Sequence, residues 1–263
     1  MAHPASIVVT VRNEAPNLAR LLDSLVLQSQ VREVIVVDAM STDGTAAIAD
    51  SYRDRIPGLQ VIRKACRRGE GRNLGAAAAT GDLLLFTDGD CVADPAWAER
   101  LVAAWQGRPD RVVAGRTVVT GHWAFTKLHR VELPHRGQDT TWPSANLAYS
   151  KALFDRLGGF DPAFVTAEDI DLNFRAVNAG AQIHSAPDAV VYARARDSIG
   201  DFLRQAYWNG YGRKQLTRKH GRLWKEYSLG RLLRLQGGSF WGLLRMGAGL
   251  VGYLDAKLGR SAP

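Results

Sequence analysis

Residues 81–91 read GDLLLFTDGDC. Leu83, Leu84, Leu85 and Phe86 form an unbroken apolar run between Gly-Asp and Asp-Gly-Asp. A run this short fits a strand covered on both faces, as in a parallel sheet. It ends in two carboxylates, Asp88 and Asp90, with a glycine between them. In an open α/β sheet, ligands bind just beyond the carboxyl ends of the strands. Paired acids there make a hard oxygen site suited to Mg²⁺ or Mn²⁺ and, through the cation, to a diphosphate. The same tripeptide also reads as a tight Asp-Gly turn leading into a helix, so the flanking chain has to decide.

Upstream, Ser6–Val11 (SIVVTV) and Glu33–Asp38 (EVIVVD) have the β-branched, apolar character of buried strands. Between them Leu18, Leu21, Leu22 and Leu25 recur at helical spacing. Residues 39–45 (AMSTDGT) form a loop that starts a helix through about Ser51. A short strand at Leu59–Ile62 and an alanine-rich helix at Gly69–Ala79 lead into the acidic strand. Downstream come a helix at Pro95–Gln106, a strand at Val112–Val119, helices at Lys151–Leu157 and Glu168–Asn178, and a short strand at Val190–Ala193. Strands alternating with helices predict an α/β fold with a mostly parallel central sheet flanked by helices. The glycine-rich dinucleotide fingerprint is absent after the first strand, which counts against an NAD or FAD domain, and no P-loop occurs.

The chain of 263 residues has 34 basic and 26 acidic side chains, a net charge of +8. That balance points to anionic partners: nucleotides, phosphates, an anionic membrane surface or nucleic acid. Two cysteines, Cys66 and Cys91, lack metal-like spacing and argue for a reducing, cytoplasmic compartment. The start, MAHPASIVVTV, has no signal-peptide pattern.

Four blocks then resemble family 2 glycosyltransferases, which have an A-type, nucleotide-sugar-binding fold, in the family's order. They are VVTVRNE, VIVVDAMSTDGT, GRNLGAAAATGDLLLFTDGDC and NLAYSKALFDRLGGFDPAFVTAEDIDLNFRAVNAG. The resemblance spans roughly residues 5–195. It implies an enzyme that moves one sugar from a UDP- or GDP-linked donor to an acceptor hydroxyl, with inversion. It implies one catalytic domain over 1–198, with a nucleotide half to about 115 and an acceptor half from about 116.

The resemblance also implies residue roles. Thr10, Val11, Arg12, Asn13 and Glu14 lie in the block that contacts the nucleotide. Asp38 hydrogen-bonds base or ribose, unless it caps the following helix. Asp90 ligates Mn²⁺ or Mg²⁺, and Asp88 contacts the ribose or the metal. Arg72 faces the phosphates, or is a solvated arginine on a helix face. Asp169, with Glu168 beside it, is the candidate general base, because an acceptor hydroxyl must lose its proton as it attacks. Acids in a helix's first turn also suit its dipole, and Asp171 is read that way. Two departures stand out. Ala39 and Ala193 replace an Asp and a metal-binding His common in relatives, leaving the third metal ligand and the base open. A lone His184 reads as structural.

From Asp201 onward the character changes. Basic residues from Arg204 to Arg234 interleave with Tyr207, Trp208, Tyr211, Trp224 and Tyr227, against one acid, Glu226. LRQAYW stands where processive relatives carry Gln-x-x-Arg-Trp, with Tyr207 at the arginine position, so single-sugar addition is expected. Residues 199–263 form a basic, amphipathic helical extension. It reads either as an interfacial helix pair on anionic lipid at the inner membrane face or as a solvated face packed on the domain. Gly237–Leu254 is marginal for spanning a bilayer and suits a monotopic hairpin or a homodimer helix equally. A lipid-linked acceptor would suit this tail, and Trp123, His129, His135 and Trp142 either frame its pocket or are loop packing. The competing classes are a non-catalytic sugar-nucleotide binder and a nucleic-acid-binding protein. The second would need neither Asp88 nor Asp90 and would bind with steep salt dependence, so nucleic acid is not the expected partner.

Overall fold

The computed structural model describes residues 5–120, 131–194, 198–221, 223 and 240–259. Four parallel strands come first: β1 (Ala5–Val11), β2 (Val31–Asp38), β3 (Leu59–Arg63) and β4 (Leu83–Asp88). They order as β3-β2-β1-β4. The helices α1 (Ala15–Val26), α2 (Thr45–Asp50) and α3 (Arg68–Ala78) cross between them. Burial on both faces explains the unbroken apolar runs. Ile7, Val9 and Leu85 enter one core layer, and Val8, Leu84 and Phe86 enter the layer on the opposite face.

Beyond β4 the sheet continues with β9 (Leu147–Ser150), β6 (Arg111–Thr120), β10 (Gln182–Arg194) and β5 (Cys91–Ala93). A two-stranded hairpin, β7 (Pro134–His135) and β8 (Gln138–Asp139), stands apart. The sheet is mostly parallel, as expected, but β9 runs antiparallel to both β4 and β6, and β5 antiparallel to β10. Sequence reasoning missed β5, β7, β8 and β9 because each has only two to four residues. The strand expected at Val190–Ala193 runs from Gln182 to Arg194, with a register shift between Ala186 and Val190 around Pro187. Asn146 bridges that irregularity. Its Nδ2 donates to Ala189 O at 2.9 Å and to Arg116 O at 3.1 Å, while its Oδ1 accepts from Trp97 Nε1 at 2.8 Å.

Further helices are α4 (Trp97–Trp105), α5 (Lys151–Arg156) and α6 (Glu168–Asn178). The C-terminal pair is α7 (Ile199–His220) and α8 (Phe240–Leu258). These two run in the same direction: Phe202 meets Trp241 near their starts, and Arg218 donates to Lys257 O near their ends. They touch backbone to backbone. A Cβ on Gly210 would overlap Gly249, and one on Gly252 would overlap the Tyr207 carbonyl. No helix among the described residues is long and apolar enough to cross a membrane.

Candidate active site

Parallel strands β1, β2 and β4 end together. Thr10 lies in register with Val37 on one side and Asp88 on the other. The loops that follow are pinned to each other. Asn13, at φ 55°, donates its N–H to Ser41 Oγ at 2.9 Å and accepts from Thr42 N at 2.9 Å. Glu14 N donates to Thr45 Oγ1 at 2.8 Å, and Ala15 N to Asp43 at 3.0 Å. Arg12 and Asn13 are exposed, Glu14 is half-buried and Val11 is buried. Asp38 is fully buried. It accepts from Ser41 N at 3.0 Å within the loop after β2 and pairs with Arg63 at 3.3 Å, but it does not cap α2, whose N-cap residue is Gly44. Ala39 donates its N–H to Val11 O at 2.8 Å.

Helix α3 lies unusually close to β1, since a Cβ on Gly71 or Gly75 would overlap Thr10 or Val8. That approach carries Arg72 to the end of β4. Arg72 is 1% exposed, so it is not the solvated arginine its helix position allowed. Its Nη2 donates to Asp88 Oδ1 at 2.6 Å and its Nη1 to Glu168 Oε1 at 2.7 Å. Burial alone would lower its pKa, but Asp88, Glu168 and Asp169 together raise it above the ordinary arginine value. Its two terminal nitrogens are therefore committed to carboxylates, and it meets the donor end through Asp88. The neighbouring Asn73 exchanges two bonds with the Phe160 backbone, at 2.7 and 2.8 Å. Residues 72 and 73 thus join the acidic strand to the Gly-Gly-Phe and Glu-Asp blocks.

Helix α6 starts after Ala167, which sits at φ 64°. Glu168 is buried and Asp169 partly buried. Asp169 Oδ2 accepts from Ser144 N at 3.1 Å, and Oδ1 accepts from Ile170 N at 2.8 Å. Burial and then the Glu168 carboxylate push its pKa up to about 6, against the pull of Arg72. A carboxyl with that value is ionised at neutral pH yet basic enough to accept a proton. Sequence reasoning missed Ser144, whose contribution is a backbone N–H that no side-chain pattern announces. Asp171, read as a dipole partner, is fully buried and holds Arg175, Lys219 and His220 at 2.7–2.9 Å.

Asp90 lines a cavity of about 420 Å³ with Arg20, Val92, Thr120, Tyr192 and Arg194. Pairing places Ala193 opposite Cys91, so the position of the missing histidine does adjoin the acidic motif. His184 is exposed near the other end of β10. A divalent cation suits the donor set in kind: two half-exposed carboxylates at one strand end, with other positions left to phosphate oxygens and water. Among the described residues no third His, Cys, Asp or Glu joins them in a cluster. His135 stacks on Phe174 at 3.8 Å and bonds Asn178 at 2.8 Å, which is loop packing. Trp142 is half-buried, and its carbonyl accepts from Asn173 at 2.9 Å. Trp123, His129, Trp224 and Tyr227 lie outside the described residues.

The chain resembles solved structures over nearly its whole length. Staphylococcus aureus TarS in complex with UDP-GlcNAc superposes with a TM-score of 0.67 at 20% identity, covering 98% of this chain and 73% of that one. Mannosyltransferase PcManGT from Pyrobaculum calidifontis, in complex with GDP-Man and Mn²⁺, gives 0.65 at 19% identity, covering 99% and 76%. At these identities the likeness shows the fold. In sequence, the chain is 27% identical to the glycosyltransferase AglE of Haloferax volcanii, covering 80% of this chain and 73% of that protein. It is 30% identical to the pre-mycofactocin glycosyltransferase of Mycobacterium tuberculosis over 78% of this chain, but spans only 46% of that relative's length. The family model for glycosyl transferase family 2 matches residues 6–160, and a second, glycosyl transferase family group 2, matches 85–254. With more than half of its length matched, the chain belongs to glycosyl transferase family 2.

Proposed function

We propose that the chain transfers one sugar from a nucleoside diphosphate sugar to an acceptor hydroxyl, with inversion, using Asp169 as general base. The observation that carries this reading is the Arg72 bridge, which ties the acidic strand end to the helix bearing Asp169. Donor chemistry and base chemistry must lie within one substrate's reach, and that bridge joins the two motifs. Thr10 to Glu14 and Asp38 form the nucleotide side, and Asp88 and Asp90 would hold Mn²⁺ or Mg²⁺. A bound cation would neutralise charge on the departing diphosphate. Asp169 takes the acceptor proton, and attack opposite the leaving group inverts the anomeric carbon. Glu168, held by Arg72 at 2.7 Å, lies beside that carboxylate and raises its pKa. Addition of a single sugar accords with Tyr207 at the arginine position of processive relatives, where its hydroxyl donates to Asp255 in α8 at 3.1 Å.

Residues 199–263 form the membrane-facing extension in this reading. Phe240, Leu243, Leu250, Val251, Leu254 and Leu258 are 44–68% exposed along α8. Neighbouring α7 carries Arg204, Arg213, Lys214 and Arg218. An apolar stripe beside cations fits an anionic lipid surface and, with it, a lipid-linked acceptor at the inner membrane face. Co-sedimentation with phosphatidylglycerol vesicles, lost in Leu250→Glu and absent with phosphatidylcholine, is expected. A dimer in detergent-free solution that buries the stripe would assign it to a second copy instead.

The deciding experiment is a thermal-shift panel of UDP, GDP and their sugars with and without Mn²⁺. One nucleotide should raise the melting temperature only with the cation, and Asp90→Ala should remove that dependence. No shift with any of them would end the reading.

A further inference from the structure

Helix α7 packs on the loop before α6 and on α6 itself. Gly212, Gln215 and Lys219 share one face of α7. Gln215 matches its amide to the loop before α6: its Oε1 accepts from Val165 N at 3.2 Å, and its Nε2 donates to Ala163 O at 3.0 Å. Gly212 sits against Thr166 and Ala167, where a Cβ would come within 2.8 Å of either side chain. Lys219 pairs with Asp161 at 2.6 Å and with Asp171 at 2.8 Å, and lies over the Phe164 ring. His220 reaches the same Asp171 oxygen at 2.7 Å and packs on Phe174.

These contacts fall on both sides of Ala167 in sequence, on residues 161–165 before it and on Asp171 and Phe174 after it, and Ala167 is the non-glycine residue held at φ 64° just before Glu168 and Asp169. Such a backbone persists only where its surroundings over-determine it. Nothing in the helix itself requires α7. Asp171 already has Arg175 on its own helix at 2.9 Å, and Arg175 also ties α6 to the Leu157 and Gly159 carbonyls.

We propose that α7 is a positioning element for the base: Gln215, Lys219 and His220 fix the Ala167 turn and thereby aim the Asp169 carboxylate. This rests on Asp169 being the base. The extension then does more than meet a surface, because its inner face sets the geometry of proton removal. Displacement of a reacting group by a fraction of an ångström is felt in turnover, while donor binding, centred on β1, β2 and β4, is untouched.

The test uses the full chain with Gln215→Ala, Lys219→Met and the double variant Lys219→Met/His220→Phe. The expected result is a kcat about 10–100-fold lower with donor KM and nucleotide-induced thermal shift unchanged. Lys219→Arg, which keeps both ion pairs, should restore most of the rate. Unchanged kcat in all three variants overturns the proposal. So does a loss in which kcat, donor binding and melting temperature fall together, since that marks a general folding role. Asp169→Asn is measured alongside. Full activity in that variant removes the base reading itself, whereas an inactive Asp169→Asn with fully active α7 variants removes only the positioning role.

Discussion

Arg72→Met tests the bridge on which the site's geometry depends. The magnitude follows from the two carboxylates it leaves behind. Glu168 has a side chain 5% exposed, and breaking a buried pair by removing one partner costs about 3–5 kcal/mol. Asp88 is 32% exposed, so water recovers most of that arm and its loss adds about 0–1 kcal/mol. Arg72 Nε is buried without a hydrogen-bond partner among the described residues, and its removal offsets about 1 kcal/mol. The net loss is about 2–5 kcal/mol, or a melting temperature lower by about 4–20 °C at 2–4 °C per kcal/mol. Urea and thermal unfolding of the full chain measure it. The double variant Arg72→Met/Glu168→Gln should recover much of the stability, since no buried charge is then stranded. Arg72→Met as stable as the parent, or a double variant no better than the single, would refute the buried bridge.

Asp169→Asn should abolish transfer while remaining at least as stable as the parent at neutral pH. Its carboxyl titrates higher in the folded chain than in the unfolded one, so its ionisation works against folding between about 4 and 6. For the same reason transfer in the parent should fall about tenfold per pH unit below about 6, as the base becomes protonated, and a flat acid limb would contradict the role. Gly210→Val should push α7 and α8 apart at about 1–3 kcal/mol, read as faster hydrogen exchange confined to those helices. Uniform exchange throughout would count against the close crossing.

The parallel half of the fold was legible because its strands are buried on both faces and its helices carry regular apolar spacing. Ser6–Val11, Glu33–Asp38 and the run ending in Asp88 needed no partner to be recognised. The middle of the sheet was not legible. Leu147–Ser150 is four residues long, and its pairing with β4 and β6 depends on contacts distant in sequence. The acids of the candidate site were proposed from motif order, but their electrostatics could not be read from it. Arg72 and Glu168 stand 96 residues apart, and neither helix pattern shows that one guanidinium joins both motifs. Asp171 does lie in the first turn of its helix, but its ion pairs with Lys219 and His220 could not be read, since those partners lie about 50 residues away.

The reversed direction of β9 has a consequence for where such enzymes keep their chemistry. A parallel strand delivers its functional residues at and just after its last residue, as β4 does with Asp88 and Asp90. An inverted neighbour enters the sheet at that same rim, so its contribution comes before its first residue, and the chain arrives through Ser144–Asn146. Insertions tolerated behind β9 would therefore leave the rim intact, whereas a single residue added ahead of Leu147 would shift the amide that steadies Asp169.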